Sequence, residues 1–225
     1  PEYLSAWSNL GAVLSELDRP EEAADVFRRA VELDSNAVLS HYNLGNALST
    51  QGDHAGAEEA FRAALAIDPD HPASLLGLGH VLKTIGRRNG ALVAYRASLA
   101  AKPDLGEAWW SLANLKTHKF SDEDRAAMEA LLAGDALGRT SRIAALFALG
   151  KAFEDAKDYA AAFKRYAAGA ALQREKVRYD PVETEKINER IMSVFTKEFF
   201  AAHESEGCDD PAPIFIVGLP RSGST

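Results

Sequence analysis

Trp7-Ser-Asn-Leu10-Gly11-Ala-Val-Leu14 is answered thirty-four residues later by His41-Tyr-Asn-Leu44-Gly45-Asn-Ala-Leu48, and thirty-four further on by Leu75, Leu78-Gly79 and Leu82. The second half of each period keeps the same phase. Ala23, Phe27 and Ala30 give way to Ala57, Phe61, Ala64 and Pro69, and then to Ala91, Tyr95, Ser98 and Pro103. A chance amphipathic helix does not hold register over three periods, so the period itself is the structural unit. Each period reads as two helices joined by a turn.

The residue types explain the unit. Gly11, Gly45 and Gly79, each beside a leucine, let the second helix approach the first closely. Ala23, Ala57 and Ala91 fill the facing position, and Phe27, Phe61 and Tyr95 are expected to plug the gap to the next unit. Gly52 and Gly86 fall at the turn between helices, where the backbone must be permissive. Pro69 and Pro103 end the second helix. Each pair leaves one apolar face open, so neighbours must stack into a solenoid. The period and its order of small and large residues resemble the tetratricopeptide repeat (TPR), which implies a right-handed solenoid.

A fourth unit opens with Glu107-Ala-Trp109-Trp110-Ser-Leu112-Ala113, but its second half departs from the pattern. Phe120-Ser121-Asp-Glu-Asp124 reads as an N-cap with an acidic first turn, starting a helix over 122–133. A fifth, degenerate unit carries Leu146, Leu149-Gly150, Phe153, Ala162 and Tyr166, offset by a few residues from the original phase. Asp180-Pro181-Val-Glu183 then caps a helix expected to run to about His203, with Ile187, Ile191, Val194, Phe195 and Phe199 on one face. Glu204 to Pro213 reads as a linker. Counting back by the period puts Pro1 at the helix-stopping position of an earlier repeat, so the chain is expected to begin at the tail of a preceding unit.

Ala and Leu dominate the apolar residues, and β-branched runs are scarce before residue 214, in keeping with helices. The formal charge of −8 argues against a general nucleic-acid binder and fits a solvated acidic surface. The single cysteine, Cys208, excludes an intrachain disulfide and fits a reducing compartment, so a cytoplasmic location is expected. No stretch approaches the ~20 apolar residues that span a bilayer. The six histidines show no metal-ligand spacing, and no metal is expected. Arg174, Lys176 and Arg178 form a charge run that reads as a solvated face.

In a TPR stack the first helices line the concave surface. That register makes Asn9, Tyr42, Asn43, Asn46, Leu76, His80, Trp110 and Asn114 candidates for a groove that holds a protein or peptide. Asparagine hydrogen-bonds a peptide backbone whatever its sequence, and the aromatics add anchor area. The alternative is that these side chains bond neighbouring helices or water.

The chain closes on Ile214-Phe-Ile-Val-Gly-Leu-Pro-Arg-Ser-Gly-Ser-Thr225, an apolar run opening into a glycine-bracketed, hydroxyl-rich loop. Such a loop turns backbone N–H groups around an anion. Gly218, Gly223 and Thr225 are spaced as in a nucleotide-triphosphatase loop, yet Ser224 stands where its lysine belongs and the cation is Arg221. Pro220-Arg221-Ser222-Gly223-Ser224-Thr225 instead resembles the 5′-phosphosulfate-binding loop of sulfotransferases, the arginine form being most like protein-tyrosine sulfotransferases. With the repeats ahead of it, the layout is similar to bacterial TPR–sulfotransferase fusions.

The resemblance implies a sulfuryl donor, 3′-phosphoadenosine 5′-phosphosulfate (PAPS), with Arg221 as the catalytic cation and Ser222, Gly223, Ser224 and Thr225 around the 5′-phosphate. It also places the acceptor base and the 3′-phosphate site beyond Thr225, so residues 1–225 alone are expected to transfer nothing. The expected fold is mainly α: a TPR-type α-solenoid of helix pairs followed by the first strand and P-loop-like turn of an α/β sulfotransferase domain. The expected divisions are repeats over 1–105, degenerate TPR-like helices over 106–176, a connecting helix and linker over 177–212, and the sulfotransferase start over 213–225. The competing reading is a TPR interaction scaffold without catalysis.

Overall fold

The computed structural model describes residues 3–115, 118–134, 137–175 and 180–203. Its contacts divide the chain into two units, Pro1–Lys176 and Val177–Thr225. The first unit is a succession of helices in chain order: α1 (Leu4–Glu16), α2 (Pro20–Leu33), α3 (Val38–Gln51), α4 (His54–Ile67), α5 (Pro72–Thr84), α6 (Arg88–Ala101), α7 (Gly106–Ala113), α8 (Asp122–Ala133), α9 (Arg139–Asp155) and α10 (Tyr159–Arg174). Helices α1 and α2, α3 and α4, α5 and α6, and α9 and α10 pair, and each first helix from α3 to α5 also packs on the second helix before it. This is the helix-pair solenoid that the thirty-four-residue period predicts.

Local chemistry sets the helix ends. Pro20 and Pro72 open α2 and α5, where a missing N–H leaves no bond unmade. The Asp53 side chain accepts the Gly56 N–H at 2.9 Å and caps α4. The turn inside each pair requires a left-handed residue: Gly52 has φ 90° and Gly86 φ 82°. Asp18 (φ 57°) and Lys157 (φ 64°) take the same place in the first and last pairs, so the turn persists where glycine does not.

The glycines on the first helices are rests for rings. A Cβ on Gly11, Gly45, Gly79 or Gly150 would fall 2.5, 2.8, 2.4 or 2.6 Å from the ring of Phe27, Phe61, Tyr95 or Tyr166, each sixteen residues further along the same pair. The aromatic therefore locks its own pair rather than chiefly bridging to the next, as the sequence suggested. Phe61 does both, since Gly77 of the following pair lies against the same ring. Val13 is 51% exposed, whereas its counterparts Ala47 and Val81 are 4% and 1% exposed, because α3 and α5 have a preceding second helix to cover them.

Polar ties join successive pairs. Glu58 on α4, itself buried, holds Arg62 at 2.5 Å and Arg87 of the α5–α6 turn at 3.0 Å. Arg96 on α6 grips Asp124 on α8 through two nitrogens at 2.5 and 2.7 Å, and His118 Nε2 lies 3.2 Å from the same guanidinium. Ser121 caps the helix as the sequence of that turn indicated, and Asp124 closes a reciprocal capping box with it. Burial alone would raise the Asp124 carboxyl, but the Arg96 and Ser121 hydrogen bonds prevail and hold it below the usual carboxylate range.

The fourth unit departs as its sequence does. Helix α7 is only eight residues long, and α8 packs on α9 rather than closely on α7. Helices α7 and α9 meet at Gly106, where a Cβ would lie 2.0 Å from the Ser141 carbonyl oxygen.

In the second unit the predicted single helix to His203 is two, α11 (Pro181–Val194) and α12 (Lys197–Ala202). Thr196 explains the break: its hydroxyl accepts the Phe199 N–H at 3.2 Å and caps α12 afresh. Asp180 and Pro181 open α11 as expected. The predicted strand and loop of residues 213–225 and the linker before them lie outside the described residues, and the described residues contain no strand.

Candidate functional site

Two grooves run over the first helices of the solenoid. The first, about 400 Å³, is walled by Tyr42 and Asn46 on α3 and by Leu76, Gly77 and His80 on α5, and closed by Lys102, Leu105 and Glu107. The second, about 450 Å³, takes Glu107 and Trp110 from α7, Thr140, Ile143, Ala144 and Phe147 from α9, and Gln173 from α10. The spacings are those of one helix face: 42 and 46, 76 and 80, 107 and 110, and 140, 143, 144 and 147. Glu107 belongs to both grooves, so they adjoin along α3, α5, α7 and α9.

The groove floor is polar but uncharged at His80. Its Nε2 lies 2.9 Å from Ser111 Oγ on α7, and its ring meets Tyr95 edge-on at 5.5 Å. Burial lowers its pKa below the ordinary histidine value, against the opposing pull of Glu107, so the ring is neutral at pH 7. Beneath it the fully buried Tyr95 hydroxyl has no formed hydrogen bond, and burial pushes it up to about 12 despite the lowering influence of nearby Ser111. Tyr42 stands between Phe61 and His71, with ring centres at 6.2 and 5.6 Å. In the second groove Trp110 and Phe147 tilt together at 5.7 Å and 56°.

Of the residues the sequence proposed, Tyr42, Asn46, Leu76 and His80 converge in the first groove and Trp110 sits in the second. Asn43 is half-buried and lines neither, and Asn9 and Asn114 are exposed away from both. Asn114 is instead the C-cap of α7, whose early end turns it out of line. Lys102, Glu107, Ile143 and Phe147 were missed. Glu107 lies one helical turn before Trp110, a signal already in the sequence, whereas the α9 face follows only from the altered phase of the fifth pair. Arg221, Ser222, Gly223, Ser224 and Thr225 lie outside the described residues. Among the described residues no three His, Cys, Asp or Glu side chains come together as a metal site, and no helix is long and apolar enough to cross a membrane.

Comparison with known proteins agrees with this architecture. Two tetratricopeptide-repeat families match, over residues 8–72 and 48–115. An uncharacterized protein of Aquifex aeolicus (strain VF5) is 34% identical over 111 residues, which is 49% of this chain and 15% of that protein. The chain thus spans a small part of that relative's length. Among solved structures, MamA from Desulfovibrio magneticus RS-1 (residues 41 to the end) superposes with a TM-score of 0.56 at 22% identity, covering 76% of this chain and 96% of that one. YrrB, described as a TPR protein with an unusual peptide-binding site, superposes with a TM-score of 0.53 at 21% identity, covering 77% and 88%. At these identities the likeness is one of fold. Residues 8 to 115 of the chain are thus matched by tetratricopeptide-repeat families, and they fold as the helix pairs of that repeat.

Proposed function

We propose that this chain is a protein-interaction scaffold that holds a peptide segment along the inner faces of its first helices. The observation that carries this reading is the pair of adjoining grooves that share Glu107, polar at Asn46 and His80 and aromatic at Trp110 and Phe147. An extended peptide needs backbone partners and apolar anchor sites at intervals, and these grooves offer both. That YrrB is described as having a peptide-binding site on the same fold adds support. Peptides selected on the intact chain are expected to lose at least tenfold in affinity to a Tyr42→Ala/Trp110→Ala variant, in keeping with aromatic anchors. Affinity unchanged in that variant would refute the groove.

A second reading rests on Pro220-Arg221-Ser222-Gly223-Ser224-Thr225. We propose that in a longer natural protein this loop grips the 5′-phosphosulfate of PAPS, and that the repeats present the hydroxyl-bearing acceptor of a sulfotransferase. Arg221 supplies fixed positive charge to the transferring group, which suits a sulfuryl donor that needs no metal clamp. Arg221→Ala in that protein is expected to abolish transfer from labelled PAPS while helical circular dichroism is retained. Transfer at the parent rate would remove Arg221 from this role, and a preference for ATP over 3′-phosphoadenosine 5′-phosphate would favour a nucleotide triphosphatase.

A further inference from the structure

The two grooves differ in charge. The first is lined by both Lys102 and Glu107. In the second, Glu107 is the sole charged side chain among the lining residues, and it forms no salt bridge among the described residues. Arg139, beside the groove residue Thr140, is already paired with Glu175. The walls are apolar: the Trp110 and Phe147 rings, with Ile143 and Ala144 on the same face of α9. Trp110 is 37% exposed, so part of its ring stays open to an incoming group.

We infer that the second groove receives one basic side chain, arginine or lysine, of the bound peptide. The assignment rests on the peptide-groove reading above and names its specificity. The aliphatic stem of such a residue lies along Ile143 and Ala144, and its cation reaches the aromatic faces and the Glu107 carboxylate together. Ring faces carry the negative end of the aromatic quadrupole, so wall and carboxylate favour the same sign of charge. An aliphatic or acidic side chain in that place would strip water from Glu107 without giving it a partner. The net charge of −8 also draws basic segments toward the chain in preference to acidic ones.

A phage-displayed random dodecapeptide library, panned on the full chain, tests this directly. Enriched peptides are expected to share a basic residue. Exchanging it for norleucine, which keeps the stem and removes the charge, is expected to weaken binding about tenfold, the scale of a desolvated cation–π contact. Glu107→Gln is expected to weaken the basic peptide several-fold and to leave the norleucine peptide unchanged. Phe147→Leu, which keeps an apolar wall, separates ring chemistry from mere packing and is expected to act on the basic peptide alone. If the peptides lose affinity to Trp110→Ala but not to the norleucine exchange, the basic-residue assignment is overturned while the groove stands. If their binding ignores both Trp110→Ala and Tyr42→Ala, or no peptide is enriched, both readings fall.

Discussion

Gly79→Ala adds a single carbon, and the solenoid has no room for it. The new Cβ would lie 2.4 Å from Tyr95 Cε1 and 2.5 Å from Cδ1. Carbon atoms settle at about 3.5–4.0 Å, so the ring must retreat by roughly 1 Å or more. Tyr95 is 0% exposed and has His80 against its edge, which leaves no direction for that retreat. Overpacking of a closed core costs about 1–3 kcal/mol, and a rigid ring belongs at the upper end, about 3 kcal/mol. Alanine returns about 1 kcal/mol over glycine inside a helix, which leaves a net loss of about 2 kcal/mol. Urea unfolding followed by circular dichroism measures it, with midpoints compared at equal slope. Gly90→Ala is the control: on α6 its Cβ meets only the tip of Leu82, at 3.2 Å, and the variant is expected to be neutral or up to about 1 kcal/mol more stable. In a Tyr95→Leu background the Gly79→Ala loss is expected to shrink by more than half. An undiminished loss there, or a Gly79→Ala protein as stable as the parent, would refute the ring-on-glycine lock.

Three further outcomes are expected. Gly106→Ala should destabilise by about 3 kcal/mol or more, since its Cβ would lie 2.0 Å from backbone rather than side chain, and limited proteolysis should then find the α7–α9 junction open. Asp124→Asn should lose about 2 kcal/mol at pH 7, below the full value for a buried pair because Arg96 is partly exposed. The folded carboxyl of Asp124 titrates lower than the unfolded one, so its contribution is complete above about pH 4 and fades as pH falls through the folded value. The parent should therefore lose stability over that acid range more steeply than the variant in parallel denaturant titrations. The folded pKa of His80 is also lowered, so the unfolded chain binds the proton first and stability declines as pH drops below about 6.5. His118 shares that sign, and His80→Gln should remove only part of the slope between pH 7 and 5.

The repeats were legible because their packing is local: a glycine, an aromatic sixteen residues on, and a turn between them all fall inside one period. Even the fifth pair could be read, for Gly150 and Tyr166 keep that interval although the pair is displaced by three residues. The groove was legible only in part. Tyr42, Asn46, Leu76 and His80 follow from counting along regular pairs. Asn114 does not, because α7 stops at Ala113 and turns it into a cap. The Phe147 wall depends on α7 packing directly against α9, which no interval within one repeat encodes. The restart at Thr196 was missed because the apolar stripe from Ile187 to Phe199 runs through it, and periodicity is blind to a hydroxyl that caps a second helix.

The polar ties reach nearly one period ahead: Glu58 to Arg87 spans 29 residues, Arg96 to Asp124 spans 28, and His80 to Ser111 spans 31. The α3–α4 and α5–α6 pairs are thus finished by the elements that follow them, and a dissection at the boundaries of these periods cuts such threads. A fragment ending at Ala101 would keep its three ring-on-glycine locks but leave Arg96 and His80 facing water and bare the Tyr95 hydroxyl. One that continues through Ala133 keeps all three threads. Excised pieces of this array should accordingly be judged by the threads they retain rather than by the number of whole repeats they contain.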